Sequence, residues 1–148
     1  MLNNLNRGYM HLRVWQDAIK LYKATAEIFN TLHWELKRIK SQQLASVDSI
    51  HRNIAEGYCR KSIKEYLQFL NIALASLGES VSAIHAYREA EQLTNEQFDV
   101  LNKLSYAVEN QLLALVRSLN RKKDLKEWDD DYIVREEIAD YGGGTGDV

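Results

Sequence analysis

The chain contains no proline among its 148 residues. Proline is frequent in turns and at sheet edges, so a fold built from many strands and loops normally uses it. Its absence favours long helices joined by short links. The chain is long enough for one domain with a hydrophobic core, and its 45% apolar and 27% charged residues are typical of a soluble globular protein.

The single cysteine, Cys59, excludes an intramolecular disulfide framework. The start of the chain lacks an uninterrupted apolar stretch behind a basic end, which predicts that there is no signal peptide. No run of about eighteen apolar residues occurs, so we expect no membrane span. These features predict a cytoplasmic protein.

Apolar side chains at three- and four-residue spacing predict helices over residues 10–30 and 39–57. Gly57 stands at the end of the second helix. A left-handed residue at a helix C-terminus costs least when it is glycine, so we interpret Gly57 as a stop.

Two further helices are predicted over residues 62–91 and 94–123. Ser62 with Glu65 has the spacing of a capping box, in which each partner satisfies a backbone N–H group of the other. Thr94 and the glutamine three residues later repeat this pattern. The turn motif before the third helix therefore predicts a well-defined helix start.

The third and fourth helices are apolar on more than one side. A helix of that kind needs partners on more than one side. The apolar surface exceeds what a lone bundle buries, which indicates a homo-oligomer. The apolar positions are residues 112–116 of the fourth helix and Tyr66, Leu67, Phe69, Leu70, Ile72, Leu74, Leu77, Val81 and Ile84 of the third.

Four helices with short links predict an all-α, antiparallel up-and-down four-helix bundle over residues 1–123. Residues 124–148 form an acidic tail, for which we expect partial disorder. Within the tail, the segment 127–138 carries Trp128, Tyr132 and Ile133 and is expected either to dock on a surface or to extend as a short helix.

The net charge of −2 hides an asymmetry between these two parts. The body holds 17 basic and 12 acidic residues, and the tail holds 2 basic and 9 acidic residues. A basic body with an acidic tail permits contact with nucleic acid or an acidic partner, and it also permits the tail to cover that surface.

Residue patterns for catalysis or metal binding are missing. None of the four histidines follows a glutamate by three residues, as inward-facing dimetal sites in bundles require, and there is no His-Glu-x-x-His sequence or Gly-rich phosphate loop. His51 and Cys59 have no patterned catalytic partner. We therefore expect no metal, no cofactor and no enzymatic activity.

The segment from Asn53 to Ser62 is the most informative part of the sequence, and two interpretations of it stay open. In the first, Asn53 and Glu56 lie one turn apart and bind the turn backbone or the next helix. In the second, basic residues form a surface for phosphate, with Tyr58 as the one aromatic side chain for base stacking. These basic residues are Arg52, Arg60, Lys61 and Lys64, with a second cluster of Arg117, Arg121, Lys122 and Lys123.

Several motifs resemble a known family, the four-helix-bundle proteins encoded in intervening sequences of bacterial 23S rRNA genes. The likeness covers roughly residues 10–120, and its most specific part is the Asn-Ile-Ala-Glu-Gly sequence. The first loop departs from the family, which often has a Phe-Pro pair after the first helix. The matching residues are Val14, Trp15, Gln16, Ala18, Asn53, Ile54, Ala55, Glu56, Gly57, Arg60, Ser62, Glu65, Phe69, Leu70, Ile72, Ala73, Ser76 and Glu79.

The resemblance implies an up-and-down bundle that assembles as a ring-like homopentamer without catalytic residues. Related bundles include the accessory variability determinant of diversity-generating retroelements, a basic pentameric barrel that binds a reverse transcriptase and its RNA. Two functional hypotheses follow. The first is an oligomeric scaffold that binds RNA or a nucleic-acid enzyme such as a reverse transcriptase, and the second is a protein-interaction adaptor without nucleic acid.

Overall fold

The structure, a computed structural model, describes residues 5–128. A 3-10 helix, Leu5–His11, leads into four α-helices: α1 (Arg13–Phe29), α2 (Lys37–Tyr58), α3 (Ile63–Glu89) and α4 (Asn95–Asp124). A second 3-10 helix, Trp34–Leu36, precedes α2. The described residues contain no strand, so the predicted all-α class with four long helices is confirmed.

The helices pack as a bundle in which each contacts the next along the chain and α1 also contacts α4. Hydrogen bonds from Gln43 to Ser80 and between Ser49 and Ser76 show that α2 and α3 run antiparallel, because residues later in one helix meet residues earlier in the other. All four helices contribute to one hydrophobic core, whose largest fully buried side chains are Tyr58, Tyr66, Phe29, Leu12, Leu21, Ile50, Ile54, Leu70, Leu77, Ile84 and Leu101.

The predicted starts of α3 and α4 match the structure. At α3 the Ser62 half of the predicted capping box forms: the Ser62 hydroxyl accepts a hydrogen bond from the backbone N–H of Glu65. At α4 the complete capping box forms: Thr94 Oγ1 accepts from the Gln97 N–H at 3.1 Å, and Gln97 Oε1 accepts from the Thr94 N–H at 3.0 Å. Each cap satisfies backbone donors that would otherwise lack a partner at a helix start.

The interpretation of Gly57 as a helix stop is wrong. Gly57 lies inside α2, which ends one residue later at Tyr58, and no described glycine has a positive φ. The glycine is needed because α2 and α3 approach closely there. A Cβ atom at position 57 would lie 2.9 Å from the Cβ of Phe69 and 3.1 Å from the backbone oxygen of Tyr66.

The left-handed stops are at two residues that are not glycine. Glu91 follows α3 with φ of 58°, and Lys126 follows α4 with φ of 54°. At α3 the backbone N–H of Gln92 bonds the carbonyl of Tyr87 at 2.8 Å, and the N–H of Glu91 bonds that of Arg88 at 2.9 Å. This pair of hydrogen bonds is the Schellman motif.

Most of the apolar surface predicted to need outside partners is covered within the chain. Of the nine apolar residues named in the third helix, Ile72 alone is classed as exposed, at 47%. On α4 the large exposed apolar side chains are Val100, Tyr106 and Leu113. The helix α3 is long and apolar enough to meet a simple criterion for a membrane span, which core helices of soluble proteins also meet.

We expect Gly57→Ala to destabilise the protein by about 1–3 kcal/mol, because the added methyl group overpacks the contact between α2 and α3. The matched control is Gly78→Ala, since a Cβ at position 78 meets nothing within 4 Å. That change should instead stabilise α3 by about 0.5–1 kcal/mol. Urea unfolding followed by circular dichroism measures both, and equal effects of the two substitutions would contradict the close approach.

We expect Glu91→Gly to stabilise the protein by about 0.5–1 kcal/mol, because glycine removes the steric cost of a side chain in the left-handed region. The control Glu89→Gly removes a neighbouring carboxylate from the last turn of α3. It should destabilise by about the same amount, since position 89 is helical. Thermal melts of both variants provide the test, and a loss of stability in Glu91→Gly would count against the Schellman motif.

Candidate nucleic-acid interface

Three parts of the chain meet at one end of the bundle. The thiol of Cys59 donates a hydrogen bond to the carbonyl of Asn6 at 3.2 Å, which places the N-terminal 3-10 helix beside the end of α2. The indole N–H of Trp128 donates to the carbonyl of Lys61 at 2.8 Å, which places the chain after α4 beside the turn between α2 and α3. Both predicted basic clusters therefore lie at the same end.

The polar residues before the turn tie α2 to α3. Asn53 Nδ2 donates to the Ser49 carbonyl at 2.7 Å and to the Ser49 hydroxyl at 2.9 Å. That hydroxyl is 2.8 Å from the hydroxyl of Ser76 on α3. Asn53 thus bonds its own helix directly and reaches the next helix through Ser49, rather than bonding the turn backbone.

Two of the predicted basic residues, Arg52 and Arg60, are already paired with acids of α2. Arg52 bonds the carboxylate of Asp48, which also accepts from His51 Nε2 at 2.8 Å. Burial by itself would raise the pKa of Asp48, but the hydrogen bonds and positive charges of His51 and Arg52 outweigh it, so the pKa lies below its ordinary value. Asp48 therefore stays ionised and offsets the charge of Arg52.

Arg60 is paired in the same way. Its guanidinium is 2.9 Å from Glu56 Oε1, and it also lies over the ring of Phe69 at 4.9 Å from the centroid. These contacts hold the side chain against α3 and neutralise part of its charge. Arg60 is consequently less available to phosphate than its position in the sequence suggests.

The prediction that Lys122 belongs to an exposed basic surface is wrong, because its side chain is buried with 8% exposure. Position 122 follows Leu115 by seven residues and Leu119 by three, so it lies on the core-facing stripe of α4. Five of the predicted basic residues are exposed and form no ion pair within residues 5–128. We call them the basic end: Lys61, Lys64, Arg117, Arg121 and Lys123.

Sequence reasoning missed two cations at this end, Arg7 and Arg13, which are both exposed. The 3-10 helix that carries Arg7 has no 3.6-residue period and was not predicted. It is held by close packing, since a Cβ at Gly8 would lie only 2.0 Å from the hydroxyl oxygen of Tyr58. Three exposed acids, Glu65, Asp124 and Glu127, share the same end of the bundle.

The prediction of Tyr58 as a base-stacking residue is wrong, because its side chain is fully buried. Its ring packs against Tyr9 and Tyr66, with centroids 6.1 and 6.2 Å away. Among residues 5–128, the exposed aromatic side chains are Trp34, at 70%, and Tyr106, at 58%. Neither of them is at the basic end.

The start of the tail contacts the bundle at Trp128, which agrees with docking, one of the two alternatives for the segment 127–138. Besides its hydrogen bond to Lys61, the indole lies 6.2 Å from the ring of Tyr66. The other tail residues named in the sequence analysis, Tyr132 and Ile133, lie outside the described residues.

The two residues considered for catalysis make contacts that hold the fold together. His51 bonds Asp48 and packs edge-on against Tyr22 of α1 at 6.0 Å, and Cys59 bonds the backbone of Asn6. The described part of the chain contains no group of three or more His, Cys, Asp or Glu residues arranged to hold a metal ion.

Comparison with known proteins is informative at the family level. No match is found among curated proteins. The family model described as 23S rRNA-intervening sequence protein matches residues 10–114, a span that runs from the end of the first 3-10 helix into α4. Because the match covers more than half of the 148 residues, the chain belongs to the 23S rRNA-intervening sequence protein family.

Proposed function

We propose that this protein is a cytoplasmic, non-enzymatic scaffold that assembles as a ring-like homopentamer and binds RNA. A nucleic-acid enzyme, such as the reverse transcriptase of a diversity-generating retroelement, is a further partner in this proposal. The basic end is the surface that contacts the phosphates.

The observation that carries the proposal is the position of the five exposed cations at the basic end, which form no ion pair within residues 5–128. Lys61 and Lys64 come from the turn and the first turn of α3, while Arg121 and Lys123 come from the last turn of α4. Distant parts of the sequence thus supply charge to one surface, whereas Arg52 and other cations are paired locally. Clustered cations of this kind bind the nucleic-acid backbone by releasing its counterions.

Support for self-association comes from the side of the bundle. Ile72 on α3 and Val100, Tyr106 and Leu113 on α4 are each at least 40% exposed. Exposed apolar side chains on two neighbouring helices favour contact with another subunit. In a closed ring, each subunit would present its own basic end, so that several weak phosphate contacts would add up.

The same exposed apolar residues also favour the second candidate function, a protein-interaction adaptor without nucleic acid. Salt separates the two candidates. Phosphate contacts weaken steeply as salt concentration rises, whereas a largely apolar protein contact depends on salt much less.

We expect the triple variant Lys61→Glu, Lys64→Glu, Arg121→Glu to weaken RNA binding by at least about 100-fold at 100 mM salt, because three phosphate contacts become repulsive. The plot of log affinity against log salt should become shallower by about 2–3. Fluorescence anisotropy with a fluorescein-labelled, 30-nucleotide single-stranded RNA provides both values.

The matched control is Lys20→Glu, Lys23→Glu, Lys103→Glu, which makes the same change of charge at exposed positions away from the basic end. This variant should retain the salt dependence of the unmodified protein. Equal losses in the two variants would show that net charge alone governs binding and would reject the basic end as the interface.

We expect the double variant His51→Ala, Cys59→Ala to bind the same RNA as tightly as the unmodified protein, although it loses contacts to Tyr22 and Asn6 and melts at a lower temperature. Such a result separates stability from function, since a catalytic role would abolish biological activity in the folded variant. The measurement is RNA binding and activity in the host at a temperature below the melting point.

A further inference from the structure

The end of the bundle opposite the basic end contains a cavity of about 320 Å³ between the end of α1 and the start of α2. Phe29, Leu32 and Leu36 form its apolar floor. Phe29 is fully buried in the core with its ring 6.0 Å from that of Tyr87, and Leu32 packs against the core, so the cavity rests on the end of the hydrophobic core. A preformed apolar cavity of this size is at the lower limit of small-molecule sites.

The rim of the cavity carries the most exposed large apolar side chain among the described residues, Trp34 at 70%. Among the ring pairs of residues 5–128, the indole of Trp34 pairs only with the ring of His33. The two rings are tilted, and their centroids are 5.7 Å apart. Leaving an indole in water forfeits the burial that normally stabilises this residue. One face of the ring therefore remains open to stack on a flat partner.

The same rim is basic. Lys37 and Lys40 line the cavity, and Arg38 lies between them in the first turn of α2, which contains no acid. Cations at a helix N-terminus face the positive end of the helix dipole, which repels them. None of the three forms an ion pair within residues 5–128. An anionic ligand would relieve this repulsion.

We infer that this cavity, the Trp34 pocket, holds one nucleotide of single-stranded RNA. Its base stacks on Trp34 above the apolar floor, and its phosphate meets Lys37 and Lys40. An open aromatic face beside cations is the combination that binds single-stranded nucleic acid. The inference deepens the proposed function and rests on it, because it names a second contact that selects unpaired RNA.

The two contacts can be tested separately because they lie at opposite ends of α2. That helix has 22 residues, so the Trp34 pocket and the basic end are about 33 Å apart. Substitutions at one end leave the other end unchanged. Trp34 is exposed, so its replacement also leaves the core intact.

The experiment measures binding of a fluorescein-labelled ten-nucleotide oligoadenylate to the full-length protein by anisotropy. We expect Trp34→Ala to weaken binding about tenfold, whereas Trp34→Phe keeps most of the affinity, since phenylalanine also stacks. The pair Lys37→Glu, Lys40→Glu should weaken binding and make the salt dependence shallower by about 1–2. The pair Lys20→Glu, Lys103→Glu, which makes the same change of charge at exposed positions of α1 and α4, should leave the affinity unchanged.

Three results would overturn the inference. The first is unchanged affinity in Trp34→Ala while the triple variant of the basic end loses binding, which would leave the proposed function standing alone. The second is dissociation of the oligomer by Trp34→Ala in native mass spectrometry, which would make the pocket a subunit contact. The third is Trp34-dependent binding of the acidic peptide 127–141 of this chain without an effect of Trp34→Ala on RNA.

A second experiment uses adenosine 5′-monophosphate and the same protein. It tests whether the pocket binds a free mononucleotide or a nucleotide within an RNA chain. Saturable quenching of tryptophan emission that is lost in Trp34→Phe would locate the mononucleotide in the pocket whether or not the basic end binds RNA. The decanucleotide should bind at least about tenfold more tightly than the mononucleotide, because its other phosphates also contact the protein. Equal affinities would reject RNA as the ligand.

Discussion

The close contact between α2 and α3 fixes the positions of the other parts of the bundle. The missing side chain of Gly57 lets the helices touch at one end, and hydrogen bonds from Gln43 to Ser80 and between Ser49 and Ser76 hold the same register farther along. A shift of α3 along α2 would leave buried polar groups without partners, which costs more than the bonds contribute on balance. This register brings the turn between the helices to the end where α4 finishes.

Ion pairs between residues close in sequence determine which cations contribute to the positive electrostatic potential at the surface. Asp48 precedes Arg52 by four residues within α2, the order that best supports a helix. Glu56, near the end of α2, pairs with Arg60, which follows the helix. Arg52 therefore stabilises α2 more than it attracts a phosphate, and Arg60 is held by Glu56 and the ring of Phe69. Lys61 has no acid four residues before it and forms no ion pair within residues 5–128, so its charge remains available. The basic end is defined as much by the absence of such neighbours as by the cations themselves.

Much of the fold could be predicted because its signals are local. The caps at Ser62 and Thr94 depend on residues three positions away, and the stripes of α1 to α4 depend on spacing within one helix. The pairing of Arg52 and Arg60 with acids and the position of Lys122 on the core-facing stripe also follow from residue spacing. A count of basic residues does not show them, because it does not distinguish paired or buried cations from free ones. The role of Gly57 could not be predicted from the sequence. A glycine near a predicted helix end is expected both where it ends the helix and where it allows a second helix to pack closely, and the sequence is the same in the two cases.

The candidate sites depend on distance in space. The sequence by itself determined the all-α class, the four helices, the caps and the division into a basic body and an acidic tail, since each of these follows from composition or from residues a few positions apart. Only the tertiary structure decided that Tyr58 is buried, that Trp34 is exposed beside a cavity, and that Arg7 lies at the same end of the bundle as the five cations of the basic end. The physical reason is that exposure and neighbourhood depend on how the helices pack against one another, and no pattern within a single helix contains that register.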